Sequence, residues 1–383
     1  MGAHSIVVTA LLVAVARPAG GQVWHLSAEP SLEIGTVEGD PRYELFRVAG
    51  IAELADGRIA VANGGSSEIR FYDEHGVFVH TTGRTGEGPR EFRYIAWLVR
   101  LEGDTLMVHD WQNQRITLLD GRGAFVRAYS LQAFASAGIE PTVVGPFADR
   151  SLLVKLRPAL RTDTVRTGWR RDTVWYARYD LEAARLDTLG RFPDSEYFTR
   201  AWGNGSISQL PRAFGRYARV VVHDSGFYYG ASDTYEITYY GEHGAAIRAI
   251  RGHEGDRRVT GSDIERYERT LVEDWTEMGL RQMAERLLLD MDYPHDVPAY
   301  GELRVDDGGN LWVAEYVRLP FRHSAHETSS LRWEVFSPRG SLVATVETPP
   351  RFTPFHIGAD VVLGVWKDQA DVEYVRRYEL RKP

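Results

Sequence analysis

The chain has 383 residues, 43% of them hydrophobic and 26% charged, and a formal net charge of −8. This acidic balance excludes a general nucleic-acid binder, which carries a basic face. With no cysteine there is no disulfide, no thiol catalysis and no lipid attachment at a cysteine. Lysine occurs only at Lys155, Lys367 and Lys382, so nearly all positive charge is arginine.

Residues Ile6 to Ala16 form a predominantly apolar run, too short to span a bilayer. Small residues follow at Ala14-Val15-Ala16 and Ala19-Gly20-Gly21, each a cleavage pattern. Residues 1–21 therefore read as a secretory signal peptide, although its amino-terminal region offers His4 and no Lys or Arg. The expected location is periplasmic or extracellular, with no membrane span.

From there a short phrase recurs: an apolar stretch, a tight acidic-glycine turn and a second apolar stretch. Its turns fall at Asp56-Gly57, Gly103-Asp104, Ala148-Asp149, Asp224-Ser225-Gly226, Asp307-Gly308-Gly309-Asn310 and Gly358-Ala359-Asp360. Such turns supply the positive φ of a tight hairpin, so each phrase reads as two antiparallel strands. A second polar turn follows most of them, as at Tyr72 to Gly76, Leu119 to Gly123, Tyr240 to Gly244 and Phe336 to Gly340, and adds third and fourth strands. Six units of four strands predict an all-β, six-bladed β-propeller over 22–383. The sixth unit ends at Tyr378-Glu379-Leu380, one strand short. The segment Val23 to Val37 is expected to supply that strand and close the ring, because closure removes exposed strand edges.

Unequal spacing of the turns locates three insertions: Leu156 to Thr173, Gly261 to Pro298 and Tyr316 to Ser330. The middle one is predicted to be helical over about 261–293, between the fourth and fifth blades. Ser262-Asp263-Ile264-Glu265 reads as a capping box, and Ile264, Tyr267, Leu271, Trp275 and Met278 recur at helical spacing. Gly279 is a candidate break, and Tyr293-Pro294 the expected end.

Thr82-Gly83-Arg84-Thr85-Gly86-Glu87-Gly88-Pro89-Arg90-Glu91-Phe92 resembles the blade linker of secreted bacterial six-bladed propellers of the NHL-repeat type. Leu303 to Val313 is similar to the hairpin phrase of that family, and Arg251-Gly252-His253-Glu254-Gly255 is a degenerate linker copy. The resemblance spans nearly the whole mature chain. It implies fold more than activity, since most members of that group have no assigned function.

In an up-and-down meander, turns between first and second strands share one face with those between third and fourth. Second-to-third loops and blade links share the other. All three insertions fall on that other face, and function on rigid scaffolds concentrates on long loops. A non-enzymatic ligand- or protein-binding module working through this loop-rich face is the expected function. Its candidate residues are Arg93, Tyr94, Trp111 and Gln112 in the second unit, with His323, His326 and His356 near the last units. The expected partner is a glycan, a peptide or an envelope protein, and the expected state is a monomer with no cofactor.

No Gly-x-Ser-x-Gly elbow, phosphate loop or dinucleotide fingerprint is present. His323-Ser324-Ala325-His326-Glu327 lacks the order of a zinc protease. The pairs His109-Asp110, His223-Asp224 and His295-Asp296 are expected to diverge wherever they lie on strands, where neighbours point to opposite faces. Asp306, Asp307 and Asn310 are explained by a hairpin without a calcium loop. A rival expectation is a metal-dependent, lactonase-like hydrolase, similar to propellers of the gluconolactonase kind. It would hold a divalent cation such as calcium in the central channel, with Glu53, Asn63 and Asp110 as candidate ligands.

Overall fold

The computed structural model describes residues 12–15, 21–132, 139–158, 166–201, 207–318 and 330–383. Three short strands open the chain: β1 (Leu12–Val15), β2 (Gln22–Leu26) and β3 (Leu32–Ile34). The first repeat is the antiparallel meander β4 (Val48–Glu53), β5 (Ile59–Asn63), β6 (Glu68–Tyr72) and β7 (Phe78–Thr82). The second is β8 (Ile95–Arg100), β9 (Leu106–Asp110), β10 (Arg115–Leu119) and β11 (Phe125–Ser130). A five-stranded third sheet comprises β12 (Ile139–Pro146), β13 (Leu152–Pro158), β14 (Gly168–Asp180), β15 (Arg185–Ala201) and β16 (Ile207–Pro211). The fourth comprises β17 (Arg219–His223), β18 (Gly226–Gly230), β19 (Glu236–Tyr240) and β20 (Ala246–Arg251), with β1 parallel to β20. Then come helices α1 (Gly261–Glu277) and α2 (Arg281–Leu288), followed by β21 (Leu303–Val305), β22 (Leu311–Ala314), β23 (Leu331–Phe336) and β24 (Leu342–Thr348). The chain ends with β25 (Phe352–Ile357), β26 (Val361–Lys367) and β27 (Glu373–Arg381).

The core is divided among the gaps between consecutive sheets. Along β5, Ala60 and Ala62 face the second repeat and pack with Phe92, Ile95 and Leu98. Ile59 and Val61 point the other way, onto Leu363, Val365 and Val375 of the last strands. The period-two alternation of a strand thus feeds two different interfaces, which is why the second strands are largely apolar. Further clusters join the second sheet to the third, the third to the fourth, the fourth to β21–β24, and those strands to β25–β27. Sheets packed in this closed sequence form a propeller-like all-β fold.

The amino-terminal strands close the circuit as expected. Strand β3 pairs antiparallel with β27, Val375 opposite Ile34 and Arg377 opposite Leu32. Strand β2 runs parallel to β24 and meets the end of β27 at His25 and Leu26. Trp24 is buried against Trp312, their ring centroids 6.3 Å apart.

Hydrogen bonds between neighbouring turns show which loops share a face. The Ala55 amide donates to Asp104 Oδ1 at 3.1 Å, Ala148 N–H to the Asp224 carbonyl at 2.9 Å, and Asp307 N–H to the Ile357 carbonyl at 2.9 Å. First-to-second turns therefore adjoin on one hairpin face. The other face carries the longer connections and both helices.

Three local expectations are corrected. Helix α1 is capped by Thr260, not Ser262: Thr260 accepts from the Asp263 amide while the Asp263 carboxylate accepts from the Thr260 amide. The shorter aspartate thus performs the reciprocal role expected of Glu265. Helical structure ends at Leu288, earlier than Tyr293, and is divided at Gly279, whose φ is 73°. Thirdly, much of the segment 156–173 is strand. Residues from Gly168 onward belong to β14, which pairs with an extended β15 from Gly168–Thr199 to Asp180–Arg185. This long hairpin supports the helical layer, in which Phe198 and Phe214 pack against Tyr267, Leu271 and Leu287.

Candidate functional site

The loop-rich end of the first and second repeats is organised by two buried polar residues at equivalent positions, the last residue of each second strand. Asp110 is fully buried and accepts four N–H groups. The Arg93 and Tyr94 amides donate to it at 2.9 and 3.1 Å, and Asn113 donates through its amide at 3.0 Å and its side chain at 2.7 Å. Asn63 in the first repeat accepts from the Phe46 amide at 2.8 Å and donates to Ser66 Oγ at 2.9 Å. Each side chain ties the strand entering its sheet to the loop leaving its second strand. Buried polar groups are tolerated when satisfied in this way.

What they hold in place is exposed. Tyr94 and Trp111 meet edge to face at 5.9 Å, and the Arg47 guanidinium lies 4.4 Å from the centre of the Tyr94 ring. Trp111 is 55% exposed and the neighbouring Phe46 64%. Arg47 itself has φ of 56°, a left-handed conformation that costs a non-glycine residue energy. It is held by Gly64 and Gly65, whose amides donate to the Arg47 and Phe46 carbonyls at 3.1 and 2.8 Å. A Cβ on Gly64 would lie 2.5 Å from the Arg47 oxygen, so only glycine admits this approach. The result is a fixed surface of Phe46, Arg47, Tyr94 and Trp111, with Gln112 exposed beside it. Arg93 lies close by, paired with Glu87 at 2.7 Å. The linker below folds around a cavity of about 480 Å³ lined by Thr82, Arg84, Arg90 and Glu91.

The structure thus brings Arg93, Tyr94, Trp111 and Gln112 together and separates His356 from them. His356 precedes the 358–360 turn, on the hairpin face, where its Nε2 is 3.5 Å from Asp307 Oδ2. His323 and His326 lie outside the described residues. Phe46 and Arg47 were missed by sequence reasoning. The available signal was Gly64-Gly65 directly after a strand, which marks a close backbone approach from elsewhere.

The acidic and histidine candidates are otherwise occupied. Glu53 lies 3.4 Å from Arg377, while Asn63 and Asp110 are spent on backbone amides. Among the described residues no group of three or more His, Asp or Glu is arranged to hold a metal ion. Asp306 accepts from the Asn310 amide at 2.8 Å and from Trp312 Nε1 at 3.0 Å, a hairpin cap. His109 is buried beside Trp97, and burial pushes its pKa down to about 4 against the opposing pull of Asp110. Of the three His-Asp pairs, His295 and Asp296 do touch, at 3.0 Å, because they lie on a loop and not on a strand.

Under the helices runs a network of ion pairs. Asp194, 1% exposed, takes Lys155 at 3.3 Å and Arg157 at 2.5 Å. Glu196 takes Arg212, which reaches on to Asp292 at 2.8 Å, and Arg171 pairs with Asp233 at 2.8 Å. The Asp194 pairs tie β13 to β15, Arg171 ties β14 to the loop after β18, and Arg212 ties the end of β16 to the segment that follows α2.

No family model matches the chain, and no curated protein is similar to it in sequence. Among solved structures it is similar to a member of the DUF4221 family from Bacteroides vulgatus, at 12% identity and a TM-score of 0.56. That likeness covers 95% of this chain and 100% of the other. It is also similar to a protein of Bacteroides fragilis described as a candidate exported protein, at 10% identity and a TM-score of 0.50, covering 98% and 100%. Virginiamycin B lyase from Staphylococcus aureus aligns over 92% and 98% at 9% identity, with a TM-score of 0.41. At such identities the likeness concerns the fold alone. No helix among the described residues is long and apolar enough to cross a membrane.

Proposed function

We propose that the protein is an exported six-bladed β-propeller of the NHL-repeat type that works as a binding module through its loop-rich face. Six meanders, the last completed by β3, supply the blades, and α1 and α2 are an insertion between the fourth and fifth. Residues 1–21 are its signal peptide. The observation that carries the reading is the exposed group Phe46, Arg47, Tyr94 and Trp111, held rigid by Asp110, Asn63 and the Gly64-Gly65 approach. Exposed, preorganised aromatic and arginine side chains are the types that dominate binding energy. The partner is a glycan, a peptide or an envelope protein, met by a monomer.

The test is binding of purified mature protein to glycan arrays, peptide arrays and solubilised envelope proteins. Trp111→Ala and Tyr94→Ala are expected to weaken any retained interaction by about tenfold or more. Val77→Ser, an exposed change at a turn of the hairpin face, serves as the control and is expected to leave binding intact. Binding that survives both aromatic substitutions and falls with Val77→Ser would place the working surface on the opposite face.

A further inference from the structure

The linker from Gly83 to Phe92 is folded back on itself before it enters β8. Phe92 is fully buried; its amide donates to the Arg84 carbonyl at 2.8 Å, and the Gly86 amide donates to the Phe92 carbonyl at 3.2 Å. Glu91 ties the fold-back together. Arg84 donates to its Oε1 through Nε at 2.7 Å and Nη2 at 2.6 Å, and the Gly88 amide donates to its Oε2 at 2.7 Å. A Cβ on Gly86, whose φ is 153°, would run into that carboxylate, so glycine is required there. From the second repeat, Asn113 Nδ2 donates to the Gly86 carbonyl at 2.9 Å and Arg115 to the Glu87 carbonyl at 2.8 Å. The loop is therefore held in one shape from inside and from outside.

That shape encloses the cavity of about 480 Å³ against the end of β7. Small-ligand sites fall in the range of roughly 300–1,000 Å³ and are mostly apolar. This one matches in size but not in character, for Pro89 is the one apolar side chain in its lining. Arg90 lines it with no hydrogen bond or ion pair to the described residues, which leaves all its N–H groups open. The Thr82 hydroxyl likewise has no partner among them, while Thr81 Oγ1 donates to the Ile69 carbonyl at 3.2 Å and keeps its lone pairs. The carboxylate in the wall is that of Glu91, whose pKa the Gly88 amide and Arg84 hold below the usual glutamate value. Two arginines against one ionised glutamate leave a single positive charge to spare, in a chain whose net charge is −8.

We propose that this cavity binds a sugar-acid unit of a glycan, its carboxylate on Arg90 and its hydroxyls on Thr82 and the Arg84–Glu91 pair. A free guanidinium matches a carboxylate in charge and in fork geometry. A sugar hydroxyl both donates and accepts, and a carboxylate beside a guanidinium answers both needs. Glu91 in the wall repels a doubly charged phosphate, and the scarcity of apolar lining gives a hydrophobic peptide side chain nothing to bury against. The inference rests on the reading of the loop-rich face as the binding surface and narrows its partner to a glycan. The same loop abuts the Trp111 surface through Asn113 and through the pair of Glu87 with Arg93.

The experiment is calorimetric titration of the mature protein, at constant ionic strength, with short oligomers of galacturonate and of glucuronate. The methyl ester of each and inorganic phosphate serve as comparisons. At least one acid is expected to bind at a single site. Its methyl ester, which keeps the frame and removes the charge, is expected to bind about tenfold more weakly or worse, through loss of a hydrogen bond to a charged group. Arg90→Met is expected to weaken the acid by a similar factor and to leave the melting temperature unchanged, because Arg90 has no partner within the protein. No binding of either acid at millimolar concentration, equal binding of acid and ester, or undiminished binding by Arg90→Met would each overturn the proposal. So would displacement of the sugar acid by phosphate at equal concentration, which would make the cavity a general anion site. Trp111-dependent capture of a peptide or protein, with no sugar acid bound, would overturn this site alone and leave the broader function standing. Sugar-acid binding that needs Arg90 and survives Trp111→Ala would uphold this site even where the Trp111 surface fails.

Discussion

Replacing Asp110 by alanine tests how the loop-rich surface is held. The carboxylate is fully buried and accepts four hydrogen bonds, three from the backbone amides of Arg93, Tyr94 and Asn113 and one from the Asn113 side chain. Hydrogen bonds to a charged group contribute about 1.5–3 kcal/mol each. The four share one acceptor and do not add, and their donors are only part-buried, so water can answer some of them. An expected loss of about 3–5 kcal/mol follows for Asp110→Ala. Asp110→Asn keeps the shape and one acceptor oxygen but turns an NH₂ group toward two donors, and about 2 kcal/mol is expected. Equilibrium urea unfolding followed by circular dichroism measures both. Trp111-dependent binding should fall in parallel, since Trp111 N–H bonds the Tyr94 carbonyl at 2.9 Å within the same knot. A loss below about 1 kcal/mol for the alanine variant would refute the reasoning. An asparagine variant as unstable as the alanine one would point to the charge rather than to the acceptor positions.

Deleting residues 22–40 removes β2 and β3, burying sites for Trp24, Leu32 and Ile34 included, and frees the edges of β24 and β27. At about 1.5–3 kcal/mol for each buried large side chain, the cost should exceed 5 kcal/mol and bring aggregation; a melting temperature within two or so degrees of the intact protein would contradict ring closure. His109, held at a pKa of about 4 by burial, binds its proton more readily in the unfolded chain, whose histidines titrate near 6.5. Stability from keeping it neutral is therefore complete above about pH 6.5 and lost as pH falls toward 4, by up to about 3 kcal/mol. In His109→Leu the slope of unfolding free energy between those pH values should flatten, and an unchanged slope would rule His109 out as its source. Gly64→Ala should displace the Arg47 carbonyl and cost roughly 1–3 kcal/mol, with Trp111-dependent binding reduced; wild-type stability and binding would show that the glycine approach is dispensable.

The repeats were legible because their turns are written in local chemistry. Asp56-Gly57 and Asp307 to Asn310 mark hairpins wherever they occur, and strands apolar at every position, such as Ile59 to Ala62, announce burial on both faces. The need for a partner strand at the carboxyl terminus was readable too, since an incomplete last meander leaves an edge that must be covered. The helix was visible in its period but not its cap: Thr260 and Ser262 are both acceptable caps, and only the backbone geometry at Thr260 decides between them. The site was half legible. Tyr94 and Trp111 could be placed on one face by meander topology, but nothing local to Phe46 or Arg47 says that they cross Gly64-Gly65 to join them. His356 illustrates the reverse error, for its place near the last repeats says nothing of which end of β25 it occupies. The pairing of Asp194 is a tertiary property in the same sense. Sequence records that an aspartate is present, while its meeting with Lys155 and Arg157 depends on strands far apart in the chain. Local turn and strand chemistry acts within a few residues and survives in the sequence, whereas pairing, desolvation and the facing of side chains across blades exist only once the ring has closed.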